Sequence, residues 1–435
     1  MVGRIWSVQV AEHVGERVVL AGWLHRLRRL SNVSFLILRD DVGLAQVVLD
    51  SVEVMNAGAE LQPESVLGVE GEVVRSAQAP RGVEVIANNI EVISQALAPP
   101  PFELHRPQVT AQLPTFLDHA AVGLRHPQRR ALFRIGAASV NGFRRLLQRE
   151  RFTEVFTPKI VAAASEGGAN LFSVDYFGRP AFLAQSPQLY KQMLVGVFER
   201  VFEVGPVFRA EPHDTPRHLN QYTSLDAELG FIEDHRTVMA VVERAIRGML
   251  AALESDAAEE LALVKPETPR LPSGSFPSVD FSEAQRMIQA ATGERLEEEL
   301  DLAPHHERWL GDWALREYGS DFVFVTGFPL KKRPFYTYPD PQRTEFSNSF
   351  DLLFRGLELV TGGQRLHTYN AYLQAMAERD MDPAPFEGYL EAFKHGMPPH
   401  GGFAMGLERW LARLTGVANV RETAIFPRDL QRLTP

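Results

Sequence analysis

Five short apolar runs within the first 97 residues restrict what the N-terminal part of this chain can become. RVVLAGWL, VSFLILRD and LAQVVLD come first, a helix-like stretch near Val54 to Leu61 comes next, and VLGVEGEVV and VEVIANNIEVI complete the set. Runs of this length, rich in β-branched residues and bounded by polar turns, read as strands. Three strands, a helix and two more strands is the order of the five-stranded OB barrel, whose exposed face commonly binds single-stranded nucleic acid. A small barrel with no ligand would share the pattern, so the strands alone do not choose. Residues 1–97 are expected to form this domain. Pro99-Pro100-Pro101 stiffens the chain beyond it, and residues 98–118 read as a hinge leading into a second domain at 119–435.

In that second part a helix is expected from about Gln128 to Glu150, with Phe133, Gly136, Val140, Phe143 and Leu147 on one buried face. β-rich runs (FVFVTGF, SFDLLFRGLELV) mix with helices at 233–254, 384–395 and 406–415, which indicates an α+β domain with a largely antiparallel sheet. With no cysteine, disulfides, thiolate metal sites and cysteine nucleophiles are excluded. No apolar run reaches membrane-spanning length and the N-terminus lacks a signal-peptide pattern, so no membrane partner and a cytoplasmic location are expected. A net charge of −10 argues against indiscriminate nucleic-acid binding but leaves room for a local footprint. His25-Arg26-Leu27-Arg28-Arg29, read as a basic loop, is a candidate for one, or is simply solvated.

Three separated segments carry the chemistry. RFTEVFTPKI (151–160) leaves a helix and enters a strand broken by Pro158, and says little alone. FRAEPHDTPRHLNQYTSLDAE (208–228) packs Arg209, Glu211, Arg217, His218, Asp226 and Glu228 between the apolar runs RVFEVGPVF and LGFIE. A hairpin here would put Arg209 and Glu211 on one strand face, where charges are costly unless they meet a ligand. HGGFAMGLERWLARL (400–414) reads as a glycine turn before a helix whose buried face is Leu407, Trp410, Leu411 and Leu414. Arg409 near the start of that helix opposes the helix dipole unless an anion is close.

In this order and spacing the three segments resemble the signature motifs of class II aminoacyl-tRNA synthetases, over essentially the whole chain. With an N-terminal OB barrel the resemblance indicates subclass b, the aspartyl, asparaginyl and lysyl enzymes. It implies a multidomain α+β protein, an OB-fold β-barrel plus a catalytic domain built on an antiparallel sheet flanked by helices. It also implies ATP as substrate, Mg²⁺, and a homodimer with Pro158 at the interface. Arg209 would grip the ATP α-phosphate, Glu211 orient the adenylate, and Arg217 and His218 reach the outer phosphates. Tyr222 and Arg409 would form the two sides of the adenine sandwich. Asp351, Glu358 and Thr361 fit the family's Mg²⁺ site, although two carboxylates seven residues apart also suit an ordinary strand or helix face.

LAQSPQLYKQ (183–192) sets a helix start, with Ser186 as cap, Pro187 as first helical residue, and Gln188 and Lys191 on one face. Read alone it is a surface helix. It resembles the QSPQ..K pattern of aspartyl enzymes, and TGGQR (361–365) supplies Arg365. Lys191 and Arg365 together would pair one substrate carboxylate, and asparagine would leave two cations uncompensated. By the same resemblance Asp226 holds the substrate amino group and Glu166, in SEGG (165–168), orders the loop that closes over L-aspartate.

On the barrel, Phe35, Gln46 and Glu84 match the positions where aspartyl relatives hold the anticodon; without the match Phe35 reads as a core aromatic. The chain resembles the shorter archaeal type of aspartyl enzyme. His25 and Pro80 stand where strictly discriminating relatives have Trp and Lys, which implies charging of tRNA(Asn) as well as tRNA(Asp), and a tRNA amidotransferase acting downstream. A strictly discriminating enzyme, an asparaginyl enzyme, an amide-forming paralogue without tRNA, and a non-catalytic RNA-binding protein are the other readings.

Overall fold

The computed structural model describes residues 3–58, 61–162 and 171–435. Two compact units divide the chain, Met1–Arg129 and Arg130–Pro435. The first holds a closed barrel of β1 (Arg17–Arg29), β2 (Ser34–Arg39), β3 (Leu44–Leu49), β4 (Val66–Arg75) and β5 (Val83–Ser94), with α1 (Val52–Gly58) after the third strand. The strand order expected from the apolar runs is the one found. Alternation decides which side chains fill it: Leu36, Leu38, Val47, Leu49, Val83 and Val85 form the core. Phe35, on the opposite pleat of β2, is partly exposed and outside that core, which overturns its reading as a core aromatic.

The basic run is not a loop. It is the end of β1, paired with β2 from Arg26 to Arg29, and the register slips at His25. That bulge turns His25 inward, where it is 7% exposed, while Arg26, Arg28 and Arg29 stay at the surface. Pro80 lies in a short turn, Pro80–Gly82.

The second unit is built on an eight-stranded sheet. Its long helix α2 (Pro127–Arg149) buries Gly136, Val140, Phe143 and Leu147 as the spacing predicts. We label β6 (Thr153–Glu154), α3 (Gln188–Phe198), β7 (Arg200–Phe208), β8 (Gln221–Gly230), α4 (His235–Asp256), β9 (Ser278–Asp280), α5 (Pro304–Tyr318), β10 (Phe322–Thr326), β11 (Ser349–Phe354), β12 (Glu358–Gln364), β13 (His400–Gly406) and α7, after α6 (Tyr369–Ala377), for Leu407–Thr415. The sheet order is β9-β10-β11-β12-β13-β8-β7-β6. Its centre is antiparallel throughout, and only the two edge pairs are parallel. Helices α2, α4 and α7 cover one face through Phe143, Ile246, Met249 and Trp410, and the Trp410 indole donates to Ser139 Oγ at 3.0 Å. That contact fixes the helix carrying Arg409 against the core.

The expected glycine turn before α7 is a strand instead. Gly402 in β13 faces Gly363 in β12, and a β-carbon at Gly402 would stand 2.0 Å from Glu228 Oε2 and 2.2 Å from Ala227 O. These glycines are spacers that admit a buried carboxylate between strands. Among the described residues no helix is long and apolar enough to cross a membrane.

Candidate active site

One face of the central strands borders a cavity of about 390 Å³. The connection 209–220 between β7 and β8 closes one side of it. Arg209 and Glu211 lie in this connection rather than on the strand, because β7 ends at Phe208. The connection is nevertheless held in place: Asn220 O accepts the Arg209 amide at 2.9 Å, and Asn220 Nδ2 donates to Arg209 O at 2.6 Å and to Glu211 O at 3.2 Å. Arg421 anchors its far part through Asp214.

Arg209 NH1 stands 3.7 Å from Glu211, and its guanidinium lies 5.8 Å from the Tyr222 ring centroid. His218 accepts or donates at Thr215 Oγ1, 2.6 Å away, and burial, then Arg409, hold its imidazole below the usual pKa. A β-carbon at Gly406 would lie 3.9 Å from the Tyr222 ring and 4.0 Å from Arg409 Cβ, so the ring and the arginine bracket this glycine. Arg409 NH1 donates to Glu358 O at 3.1 Å and Oε1 at 3.3 Å. Seven of the expected residues, Arg209, Glu211, Arg217, His218, Tyr222, Glu358 and Arg409, therefore line one cavity.

Asp351 and Glu358 also converge. The Thr361 hydroxyl lies 2.9 Å from Asp351 Oδ1 and 3.3 Å from Glu358 Oε1. Burial, with Glu358 adding to it, pushes the Asp351 carboxyl up to about 6. Two crowded carboxylates beside a hydroxyl form a hard oxygen donor set that a divalent cation relieves, so these residues fit Mg²⁺. Sequence reasoning missed Arg333, whose NH2 forms an ion pair with Asp351 at 3.0 Å and whose guanidinium lies 4.0 Å from the Phe328 ring centroid. Nothing in PLKKRPFY distinguished it. It also missed Glu307, which is buried against Arg217 and pushed up to about 6 chiefly by burial.

A second group sits beneath the first. Lys191 is not on a surface helix: it is 1% exposed, and its Nζ donates to Asp226 Oδ1 at 2.9 Å and Phe403 O at 3.0 Å. Glu228 Oε2 is 3.5 Å away. Pro187, not Ser186, is the cap of this helix, which starts at Gln188. Arg365 donates through Nε to Glu228 Oε1 at 2.9 Å and through NH2 to Gly402 O at 3.0 Å, with Gln188 Oε1 at 3.4 Å. Arg365 and Gln188 reach the cavity wall, whereas Lys191, Asp226 and Glu228 lie one layer behind it. The expectation of two uncompensated cations is therefore corrected: Asp226 and Glu228 already balance Lys191 and Arg365. Glu228 was visible in the sequence, two residues after Asp226 on the same strand face. Glu166 lies outside the described residues.

In the barrel unit, Phe35 and Gln46 lie on the outer face of β2 and β3, and Gln46 Nε2 donates to Glu84 Oε2 at 2.8 Å. His25 is not on that surface. Its Nδ1 is 3.4 Å from Arg39 NH1, Arg39 is paired with Glu64 at 2.7 Å, and burial, then Arg39, lower the imidazole to about 4.

Away from the cavity, Glu294, His305 and His306 converge closely enough to hold a metal. The His306 Nδ1 accepts the Ala303 amide at 3.1 Å, so its Nε2 carries the proton and donates to Glu294 at 2.8 Å. That protonated nitrogen has no lone pair to offer, and His306 caps a helix.

The profile of tRNA synthetases class II (D, K and N) matches residues 113–430, and that of the OB-fold nucleic acid binding domain matches 18–93. An aspartate–tRNA(Asp/Asn) ligase of Thermus thermophilus is 48% identical over 433 residues, 99% of this chain and 100% of that protein. A ligase of the same description from Deinococcus radiodurans is 44% identical over 437 residues, covering 99% of each. The asparaginyl-tRNA synthetase of Pyrococcus horikoshii, crystallised with asparaginyl-adenylate, superposes with a TM-score of 0.93 at 31% identity over 100% of both chains. The backbone alone thus leaves the amino acid open, and side chains must decide it.

Proposed function

The chain belongs to the class II tRNA synthetases of the aspartate, lysine and asparagine group, and on that premise we propose that it activates L-aspartate with ATP and joins it to tRNA(Asp) and tRNA(Asn). The observation that carries the amino acid is the buried pair of Lys191 and Asp226, 2.9 Å apart beneath a cavity wall that includes Arg365. Aspartate brings both an ammonium and a carboxylate. Its ammonium replaces Lys191 on Asp226 and its side-chain carboxylate replaces Asp226 on Lys191, so one internal pair becomes two pairs with substrate. Asparagine can supply the ammonium but offers Lys191, then left with Glu228 at 3.5 Å shared with Arg365, only an amide dipole. Leaving one member of a buried ion pair unmatched costs about 3–5 kcal/mol.

The reaction is set by the groups around the cavity. The aspartate α-carboxylate attacks the α-phosphorus in line and pyrophosphate leaves, with Arg209 stabilising the charge that develops on the phosphoryl oxygens. Arg217 and His218 hold the outer phosphates, Tyr222 and Arg409 clamp the adenine, and Glu211 orients the adenylate. Asp351 and Glu358, with Thr361, would hold Mg²⁺, which supplies charge neutralisation on the triphosphate. The terminal ribose 3′-hydroxyl of tRNA then attacks the acyl carbon of the mixed anhydride, forming the aspartyl ester as the bond to phosphate breaks and AMP leaves. No protein nucleophile is required, and positioning supplies the rate.

Residues 1–97 act as the anticodon-binding domain, 98–118 as hinge and 119–435 as catalytic domain. Phe35 stacks on an anticodon base, with Gln46 and Glu84 reading polar edges. His25 acts from behind this face, and with Pro80 relaxes the choice of the third anticodon base. Asp-tRNA(Asn) then needs a tRNA amidotransferase to become Asn-tRNA(Asn). A homodimer forms over the segment around Pro158. There Glu203 ties Thr157 and Lys159 inward, while Phe156 and Ile160 are 79% and 50% exposed. Apolar residues held outward beside Pro158 suit a partner surface.

ATP–pyrophosphate exchange tests the amino acid. Exchange should depend on aspartate, with asparagine at equal concentration supporting less than about one-hundredth of it, as a 3 kcal/mol difference requires. Exchange driven equally well by asparagine would refute the assignment.

A further inference from the structure

We propose that Glu307 is a positioning residue for ATP, holding the Arg217 guanidinium from behind so that its free edge meets the triphosphate. The proposal rests on the reading of the cavity as an ATP site.

Glu307 sits in the first turn of α5, and its side chain is 8% exposed. Arg217 NH2 donates to Glu307 Oε2 at 2.9 Å and Oε1 at 3.3 Å. Glu307 Oε2 also accepts the Glu358 amide at 3.4 Å. Arg217 and Glu358 both line the cavity and Glu307 does not. One carboxylate thus touches, from outside the cavity, the guanidinium of Arg217 and the backbone amide of Glu358.

Arg217 needs such a support. It stands on the connection 209–220, whose backbone is anchored by Asn220 and Arg421, but those contacts leave the arginine side chain unconstrained. A long arginine side chain loses about 2 kcal/mol of rotamer freedom when it is fixed. Among the described residues, Glu307 is the hydrogen-bond partner of its guanidinium, through NH2, and NH1 has no protein hydrogen bond. A guanidinium held at NH2 with NH1 left for a ligand presents a fixed donor to an anion. A carboxylate this close to a triphosphate would by itself repel it, so its effect on ATP must run through the arginine.

The test is a double-mutant cycle read in aspartate-dependent pyrophosphate exchange. Glu307→Ala should raise the KM for ATP roughly tenfold, the scale of one charge-assisted hydrogen bond, and leave the KM for aspartate within about twofold. Glu307→Gln, which keeps the shape and one acceptor, should fall between Ala and the unmodified protein. In an Arg217→Ala background, Glu307→Ala should add less than about twofold, since the two act as one unit. Additive effects, or equal rises in both KM values, would overturn the proposal. If Glu307→Ala does not fold, Glu307→Gln enters the same cycle with the same criteria. Unmodified protein without exchange would overturn the ATP-site reading itself, whereas normal exchange with an additive cycle would overturn only the role of Glu307.

Discussion

Lys191→Met is expected to lower aspartate-dependent pyrophosphate exchange by about 10²–10³-fold while leaving the Kd for ATP within about twofold, because removing one partner from a buried charge pair costs about 3–5 kcal/mol. The ammonium lies between Asp226, Glu228 and Phe403 O, and both carboxylates are buried beside it. Without it those carboxylates face each other with Arg365 as their remaining nearby cation. The variant should therefore also lose stability, on the order of 3 kcal/mol, in equilibrium unfolding. Methionine keeps the length and apolar stem, so the loss reports charge rather than a cavity. The pattern matters more than the size. Aspartate binding should fail while ATP binding survives, because Lys191 contacts Asp226, Glu228 and Phe403, none of which is an ATP residue. Equal loss of both ligands would show that Lys191 only supports the fold.

Arg209→Ala is expected to lower kcat by about 10²–10³-fold, the usual effect of removing one donor aimed at developing transition-state charge. Its backbone is held by Asn220 in both directions, independently of its side chain. The thermal midpoint should therefore move by no more than a few degrees, and the KM for aspartate should stay within about threefold. An unchanged kcat with a raised KM for ATP would mean that Arg209 binds the ground state and does not act on the phosphoryl transfer.

Periodicity made the barrel and α2 legible, because a strand face repeats every two residues and a helix face every 3.6. The same signal could not place Lys191. A lysine on a short helix is ordinarily solvated, and only Asp226 and Glu228, on a strand 35 and more residues away, make its burial tolerable. The glycines of HGGFAMG read as a turn because glycine usually marks turns. Their role as spacers appears only when β12 and β13 pair and Glu228 fills the gap. Phe35 was separated from the core by pleat alternation, which its run of apolar neighbours concealed. His25 was misplaced because a bulge turns it inward. Glu307 and Arg333 come from segments without any motif, and long-range contacts alone bring them to the cavity edge.

The central claim is an enzyme strict about its amino acid and permissive about its tRNA, and aminoacylation of purified tRNA(Asp) and tRNA(Asn) side by side with labelled aspartate tests it most directly. Both tRNAs should reach a full plateau of aspartate acceptance. A tRNA(Asn) that stays uncharged under conditions that fully charge tRNA(Asp) would contradict it.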